Sequence, residues 1–311
     1  MTTLLVANAH ATDHAMPQGH PEQVARAGAV TGALSAPAFS GLLRMAAPTT
    51  DDAVLRLGHP QSHIDAIRGA IPDTGLRALD PDTHVSPGSL GAALAGVGGC
   101  VAAVDAVLDG RAQSAFVATR PPGHHAERDR AMGFCLFSSI AIAARYALET
   151  RGLDRVAVVD FDVHHGNGTQ DVLWEEDRAL FISSHQMPLY PGTGAASERG
   201  GSDNVMNLPL PPGSDGAMMR RVYTDHVIPR LTAWKPDLIL ISAGFDAHAD
   251  DPLANLGWTE ADFAWVTRAL CEVADAVCDG HVVSTLEGGY DLEALAASVA
   301  THVDMLQEAG R

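Results

Sequence analysis

Basic residues are scarce in this chain: 20 Lys and Arg stand against 38 Asp and Glu among 311 residues, a formal net charge of −18. That balance repels nucleic acid and anionic membrane, so neither is an expected partner, and it mildly attracts cationic ligands. Cysteine is sparse too. Cys100, Cys135, Cys271 and Cys278 form no CxxC pair and no disulfide-like framework, so buried thiols in a reducing compartment are expected. No stretch reaches the roughly 18 uninterrupted apolar residues of a spanning helix, and MTTLLVANAH lacks the basic flank and long apolar core of a secretion signal. A cytoplasmic location is the resulting expectation. Also missing are a GxSxG elbow, a P-loop, a GxGxxG after a strand and an HExxH helix, which argues against the chemistries those motifs serve.

With 46% hydrophobic and 19% charged residues, the composition is that of a globular protein long enough to bury a substantial core. Short apolar runs read as interior strands at 2–9, 114–119, 155–161, 179–184, 205–210, 237–244 and 281–288. Helical patterns fall between many of them, at 89–110, 138–152, 217–234 and 259–280. The last opens on a Thr259 cap with an acidic first turn and stops at Gly280. Strands that are apolar throughout and alternate with helices indicate an α/β fold with a mostly parallel sheet covered on both faces. No repeat, low-complexity segment or linker-like tract marks a boundary, so residues 1–311 are expected to form a single domain.

Four polar clusters interrupt this pattern: RPPGHHAE after the strand at 114–119, DFDVHHGNG closing the one at 155–161, FDAHADDP after 237–244, and EGGYD after 281–286. Carboxyl ends of strands are where ligands bind in open α/β sheets, so remote segments can converge there. If VAVVDFDVHHGNG stays extended past its apolar run, Asp160, Asp162 and His164 share one face. Buried charges cost several kcal/mol each unless paired or bound to a metal, so packing is a poor explanation for that crowding. Asp162, His164 and Asp246 offer two carboxylates and one imidazole, a set that suits Zn²⁺ or Fe²⁺ and leaves a position for water. The tandem His124 and His125 can supply base and acid; Asp160 can keep one of them cationic while Asn167 orients the other without charging it. Tyr290, freed by two glycines, can donate to a developing oxyanion. Phe134 and Tyr190, aromatics beside glycine in loops, can wall a narrow apolar channel or pack in the core.

The ordered motifs HPE (20–22), RPPGHHAERDRAMGFC (120–135), VDFDVHHGNGTQ (159–170), YPGTG (190–194), NLPLPPGS (207–214), SAGFDAHADDPL (242–253) and LEGGYDL (286–292) span nearly the whole chain. In them the sequence resembles the zinc-dependent histone deacetylases, in the bacterial amidohydrolase branch close to the class II enzymes. The resemblance implies the arginase/deacetylase fold, a three-layer α/β/α sandwich around an eight-stranded, mostly parallel sheet. It implies that Asp162, His164 and Asp246 bind zinc, and that His125 is general base and acid. His124 would be its electrostatic partner buttressed by Asp160, with Asn167 supporting His125 as in class II members, where class I members have aspartate. Tyr290 would polarise the scissile carbonyl. Phe134 and Tyr190 would flank an acyl-lysine tunnel, with Gly133 lining it, Leu253 at its rim and Arg26 near its inner end. Structural monovalent cations such as K⁺ would sit beside the DxD loop. Two positions depart from the family pattern: Val24 stands where HPE-x-Pro-x-Arg has proline, and Tyr190 makes a wall that is often phenylalanine more polar. The residue holding the substrate backbone is sought in THVSPGS, 83–89.

The implied activity is removal of an acetyl or other acyl group from an acylated amine, on a peptide or a small molecule, by metal-activated water. Three rivals stand beside it. The same residues would serve a deacetylase of acetylated polyamines; an arginase-like hydrolase would need two Mn²⁺ ions and more carboxylates at the first strand end; a catalytically silent scaffold would bind acyl-lysine without turnover. Self-association is left open.

Overall fold

The computed structural model describes residues 2–309. The chain runs β1 (Thr3–Ala7), α1 (Ala25–Ala33), β2 (Leu43–Ala46), α2 (Asp52–Leu55), α3 (Gln61–Ala70), β3 (Arg77–Ala78), β4 (His84–Val85), α4 (Ser89–Leu108), β5 (Ser114–Ala118) and α5 (Ser139–Glu149). It continues through β6 (Val156–Asp160), α6 (Asn167–Leu173), β7 (Ala179–Gln186), β8 (Val205–Leu210), α7 (Gly216–Val222), α8 (Ile228–Trp234), β9 (Leu238–Ala243), α9 (Glu260–Val277), β10 (Val282–Leu286) and α10 (Leu292–Ala309). Eight strands form one sheet in the order β2-β1-β5-β10-β9-β6-β7-β8, and every pairing in it is parallel. β3 and β4 make a separate antiparallel ribbon.

Period-2 alternation assigns each strand residue to one of two cores. Leu5, Phe116, Ala157, Val159, Ile239 and Ile241 face a layer containing Leu231, Leu270 and Val299 from α8, α9 and α10. Leu4, Val6, Ala115, Val117, Val156, Val158, Leu238 and Leu240 face the other way, onto Cys100 and Val104 of α4 and Ile140 and Ala144 of α5. Each fully buried Val, Leu or Ile contributes about 1.5–3 kcal/mol, so strands sandwiched in this way must be apolar on both faces. The result is the three-layer α/β/α sandwich the motifs implied.

Several elements differ from the sequence reading. β2 went unseen because three of its four residues are exposed and it lies at the sheet edge, where no apolar run is needed. The helix expected over 217–234 is α7 and α8 joined by a π turn at Tyr223–Val227; Pro229, which cannot donate to the carbonyl four residues back, is the second residue of α8. At the start of α9 the Asp262 carboxylate accepts from both N and Oγ1 of Thr259 at 2.9 Å, closing the cap that the acidic first turn suggested. Among the described residues one helix, α4, is long and apolar enough by length and composition to cross a membrane, although no segment of spanning length was expected. Two-thirds of its most apolar window is buried inside the protein: squeezed between the sheet and α5, it needs apolar residues around most of its circumference.

Candidate active site

The strands β5, β10, β9 and β6 are consecutive neighbours in the sheet. Because all are parallel, their carboxyl ends lie side by side on one edge, and the four polar clusters meet there. Glu287, the first residue beyond β10, fastens the tandem-histidine turn beyond β5: its Oε2 accepts from Gly123 N at 2.7 Å and His124 N at 3.1 Å. Burial pushes the Glu287 carboxyl up to about 7, the nearby His124 cation opposing that rise.

Extended geometry ends at Asp160, so a continuing strand is not what gathers the next side chains. Instead Asp160 Oδ1 accepts from Asp162 N at 3.1 Å, and Asp162 Oδ1 accepts from His164 N at 2.9 Å. Two successive side-chain-to-backbone turns thus fold the DFDVH segment upon itself, a local device open to aspartate because its carboxylate competes with backbone acceptors. His164 Nδ1 then stands 3.1 Å from Asp162 Oδ1 and 3.1 Å from Asp246 Oδ2. One donor atom from each residue lies within 4.8 Å of the others, and all three residues are buried. The opposite carboxylate oxygens are held by backbone N–H groups, Gly288 on Asp162 at 2.8 Å and Val163 on Asp246 at 2.9 Å.

The trio is a group that could hold a cation. Burial and the adjacent Asp162 push the Asp246 carboxyl up to about 7. His164 is held at about 10 although burial opposes it, because Asp162 and Asp246 both face its ring nitrogen. Asp162, His164 and Asp246 would hold a divalent ion, since two carboxylate oxygens and one imidazole nitrogen within reach of one another suit it.

The two histidines of the tandem pair are set to opposite charge states. His124 Nδ1 lies 3.0 Å from Asp160 Oδ2, and its Nε2 lies 3.7 Å from Asp162 Oδ2. Burial alone would discharge this ring, but Asp162 and Asp160 outweigh it and hold the imidazole well above 6.5. His125 Nδ1 faces Asn167 Oδ1 at 2.7 Å; burial and the cationic His124 and His164 hold it well below 6.5. The ring centroids are 4.0 Å apart, so a cation sits against a neutral imidazole.

Tyr290 follows Gly288 and Gly289. A Cβ on Gly288 would overlap the Asp246 and Asp162 carboxylates, so glycine is required for this loop to pass the trio. Asp251 Oδ2 accepts from Tyr290 N at 2.7 Å. Arg26 donates to Gly289 O at 2.6 Å and Glu287 O at 2.5 Å, with its guanidinium carbon 5.0 Å from the Tyr290 ring centroid. Burial, with Asp246 adding to it, pushes the Tyr290 phenol well above 10, so it remains a donor. A cavity of about 250 Å³ leads to these groups, with Gly133, Phe134, Tyr190 and Leu253 in its wall and His125, His164 and Tyr290 at its buried end. Phe134 meets the Tyr290 ring edge-on at 5.9 Å and Tyr190 meets the His125 ring at 5.2 Å. Gly133 has φ +55°, and a Cβ there would overlap the His125 imidazole.

Asp82, just ahead of the 83–89 segment, lines the cavity. Within that segment, Thr83 Oγ1 accepts from Phe134 N at 3.1 Å, and Ser86 and Ser89 bond each other and Ser89 bonds His14. The motifs also contain Glu22, Glu127, Asp251 and Glu287, which reach Arg120, Asn167, Tyr290 and Gly123, all distant in sequence. Glu22 is fully buried and binds Arg120 through two contacts, 2.6 and 2.8 Å, and Arg26 at 3.1 Å. Arg26 is a local partner four residues on, but Arg120 lies 98 residues away and leaves no local trace.

Comparison with known proteins places this arrangement. Residues 20–306 match the family described as histone deacetylase domain. Histone deacetylase 14, chloroplastic, of Arabidopsis thaliana is 39% identical over 305 residues, covering 91% of this chain and 72% of that protein. A histone deacetylase-like amidohydrolase of Pseudomonas aeruginosa is 39% identical over 252 residues, covering 80% of this chain and 66% of its own length. The crystal structure of the HDA15 HD domain superposes with a TM-score of 0.93 at 32% identity, covering 99% of this chain and 89% of the other. The chain belongs to the histone deacetylase family, has the arginase/deacetylase fold, and by that membership is a deacetylase or amidohydrolase.

Proposed function

We propose that this site hydrolyses the amide of an acylated amine, with acetyl-lysine in a peptide as the leading substrate and Zn²⁺ as the metal, Fe²⁺ being the alternative. One observation carries the reading: His125, Tyr290 and His164, the last grouped with Asp162 and Asp246 in the buried trio, share the buried end of a single cavity. A linear stem can pass between Phe134 and Tyr190 and deliver its amide to those groups. An ion held by the trio supplies, when bound, Lewis-acid polarisation of a carbonyl and a lowered pKa for water. His125 takes a proton from the attacking water and returns it to the departing amine, a role open to it because the neutral ring can accept a proton. His124, kept cationic by Asp162 and Asp160, favours the negative charge that develops beside it. Tyr290 donates a hydrogen bond to the carbonyl oxygen as it becomes an oxyanion.

The test is turnover by Zn²⁺-loaded protein on acetyl-lysine peptides, acetylated polyamines and longer acyl-lysines, with Tyr290→Phe as control. We expect hydrolysis of acetyl-lysine peptides and a fall of about 10²–10³-fold in kcat for the control. Preference for a polyamine would move the substrate class to small molecules. Absence of turnover on every member by folded, metal-loaded protein would leave a silent acyl-lysine binder.

A further inference from the structure

We propose that Glu127 sets the tautomer of His125 by fixing which way round the Asn167 amide stands. The inference makes use of the reading of His125 as the base, but the orientation of the amide is independent of it. Asn167 is 4% exposed, and its amide has two chemically opposite ends. One lies 2.7 Å from His125 Nδ1. The other lies 2.7 Å from Glu127 Oε1 and 3.4 Å from the His125 carbonyl oxygen, with the Met132 sulfur at 3.3 Å.

Amide oxygen and nitrogen have nearly the same shape, so sterics do not choose between the two orientations. Partners do. A carboxylate and a carbonyl only accept, so the end facing Glu127 is the NH₂ and the end facing His125 is the oxygen. Reversing the amide would press its oxygen against a carboxylate oxygen. With an acceptor 2.7 Å from Nδ1, the neutral imidazole of His125 carries its proton there, and its lone pair is left on Nε2. Nε2 is the atom a base needs.

Glu127 is held for this purpose by its own backbone, whose N–H donates to Arg130 O at 2.9 Å and whose carbonyl accepts from Arg130 N at 3.4 Å. Tautomer information therefore passes from Glu127 to Asn167 to His125. Glu127 is absent from the cavity wall, so it acts only through its neighbours and is a positioning residue.

Two-bond ¹H–¹⁵N correlation spectra of ¹⁵N-histidine-labelled protein read the tautomer directly and need no turnover, so a failure of the hydrolase reading leaves this test standing. Wild-type His125 is expected as Nδ1–H; Nε2–H there would overturn the proposal. In Glu127→Lys the ammonium donates to the amide oxygen, turns Asn167 around and shifts His125 to Nε2–H, with kcat falling about 10²–10³-fold. Glu127→Gln can present an oxygen at the same place and keeps Nδ1–H. Asn167→Asp offers an acceptor in either orientation, so adding Glu127→Lys to that background leaves the tautomer unchanged and lowers kcat by less than about threefold. Retention of Nδ1–H in Glu127→Lys, or an equal loss of kcat in both backgrounds, would show that Glu127 has only a structural role.

Discussion

The Asp251 carboxylate accepts the backbone N–H of Tyr290 at 2.7 Å and that of Leu253 at 3.0 Å, so one buried aspartate beyond β9 places both the phenol beyond β10 and the cavity rim. Asp251→Ala removes that anchor while leaving the Asp246 donor in place. A displacement of about 1 Å at the reacting groups costs about 10²-fold, so kcat should fall by that order while Zn²⁺ content per chain stays unchanged. Undiminished kcat would mean that Arg26 and the glycines position Tyr290 unaided.

Metal removal should be felt in stability as well as in turnover. Stripping the ion with a chelator leaves the buried Asp162 and Asp246 carboxylates facing His164 Nδ1 alone. Restoring Zn²⁺ at about 100 times its Kd should stabilise the fold by about 2.7 kcal/mol, read as a rise in Tm together with recovered activity. Asp246→Ala should abolish both responses. A Tm indifferent to Zn²⁺ in the wild-type protein would argue against the trio as the binding site.

Glu22 links pH to stability. Its carboxyl is fully buried, which alone would raise its pKa, but His14, Arg120 and Arg26 reverse the effect and bring it from 4.5 to about 2. A depressed carboxyl means that the unfolded chain takes up the proton first as pH falls. The stabilisation is complete above pH 4.5 and is lost between 4.5 and about 2; from the shift it amounts to about 3 kcal/mol. Denaturant midpoints of Glu22→Gln should therefore differ most from wild type near pH 6 and converge toward pH 2. Arg120→Leu, which leaves the carboxylate short of its main partner, should cost about 3–5 kcal/mol.

His302 gives an acid sensitivity of different origin. It is enclosed between Thr267 Oγ1 at 2.7 Å and Ser284 Oγ at 2.8 Å, and burial brings its pKa from 6.5 to about 3. Here too the unfolded chain binds the proton first, so stability is full above pH 6.5 and declines from there downward. At pH 4.5 the loss attributable to this one ring is about 2–3 kcal/mol. His302→Gln should flatten the stability profile between pH 6.5 and 4.5; an unchanged slope would assign the sensitivity to other buried histidines such as His59, also at about 3.

Gly133→Ala adds a Cβ at φ +55° into the His125 ring. Because the imidazole must yield and alanine is strained at this φ, kcat should fall about 10-fold or more together with a drop in Tm, and a wild-type rate in the variant would show that the loop moves instead.

Local pattern was sufficient for much of this architecture. Strands such as Val156–Asp160 and Leu238–Ala243 are legible because burial on both faces demands unbroken apolar runs, and α9 because Thr259 and Asp262 mark its start. β2 was not legible, since an exposed edge imposes no pattern. Nor was the geometry of Asp162 and His164, which hang on turns made by Asp160 and Asp162 rather than on the strand before them.

By itself the sequence determined which residues could bear charge or hold a metal and at which strand ends they stand, because those properties belong to side chains and to short segments. Only the tertiary structure decided that β5, β10, β9 and β6 lie next to one another, and with them which carboxylate meets which partner. Glu287 reaches Gly123 across 164 residues, and Asn167 reaches Glu127 across 40. Such pairings follow from strand order, a property of the whole sheet, and the same order decides that His124 carries a charge while its neighbour His125 does not.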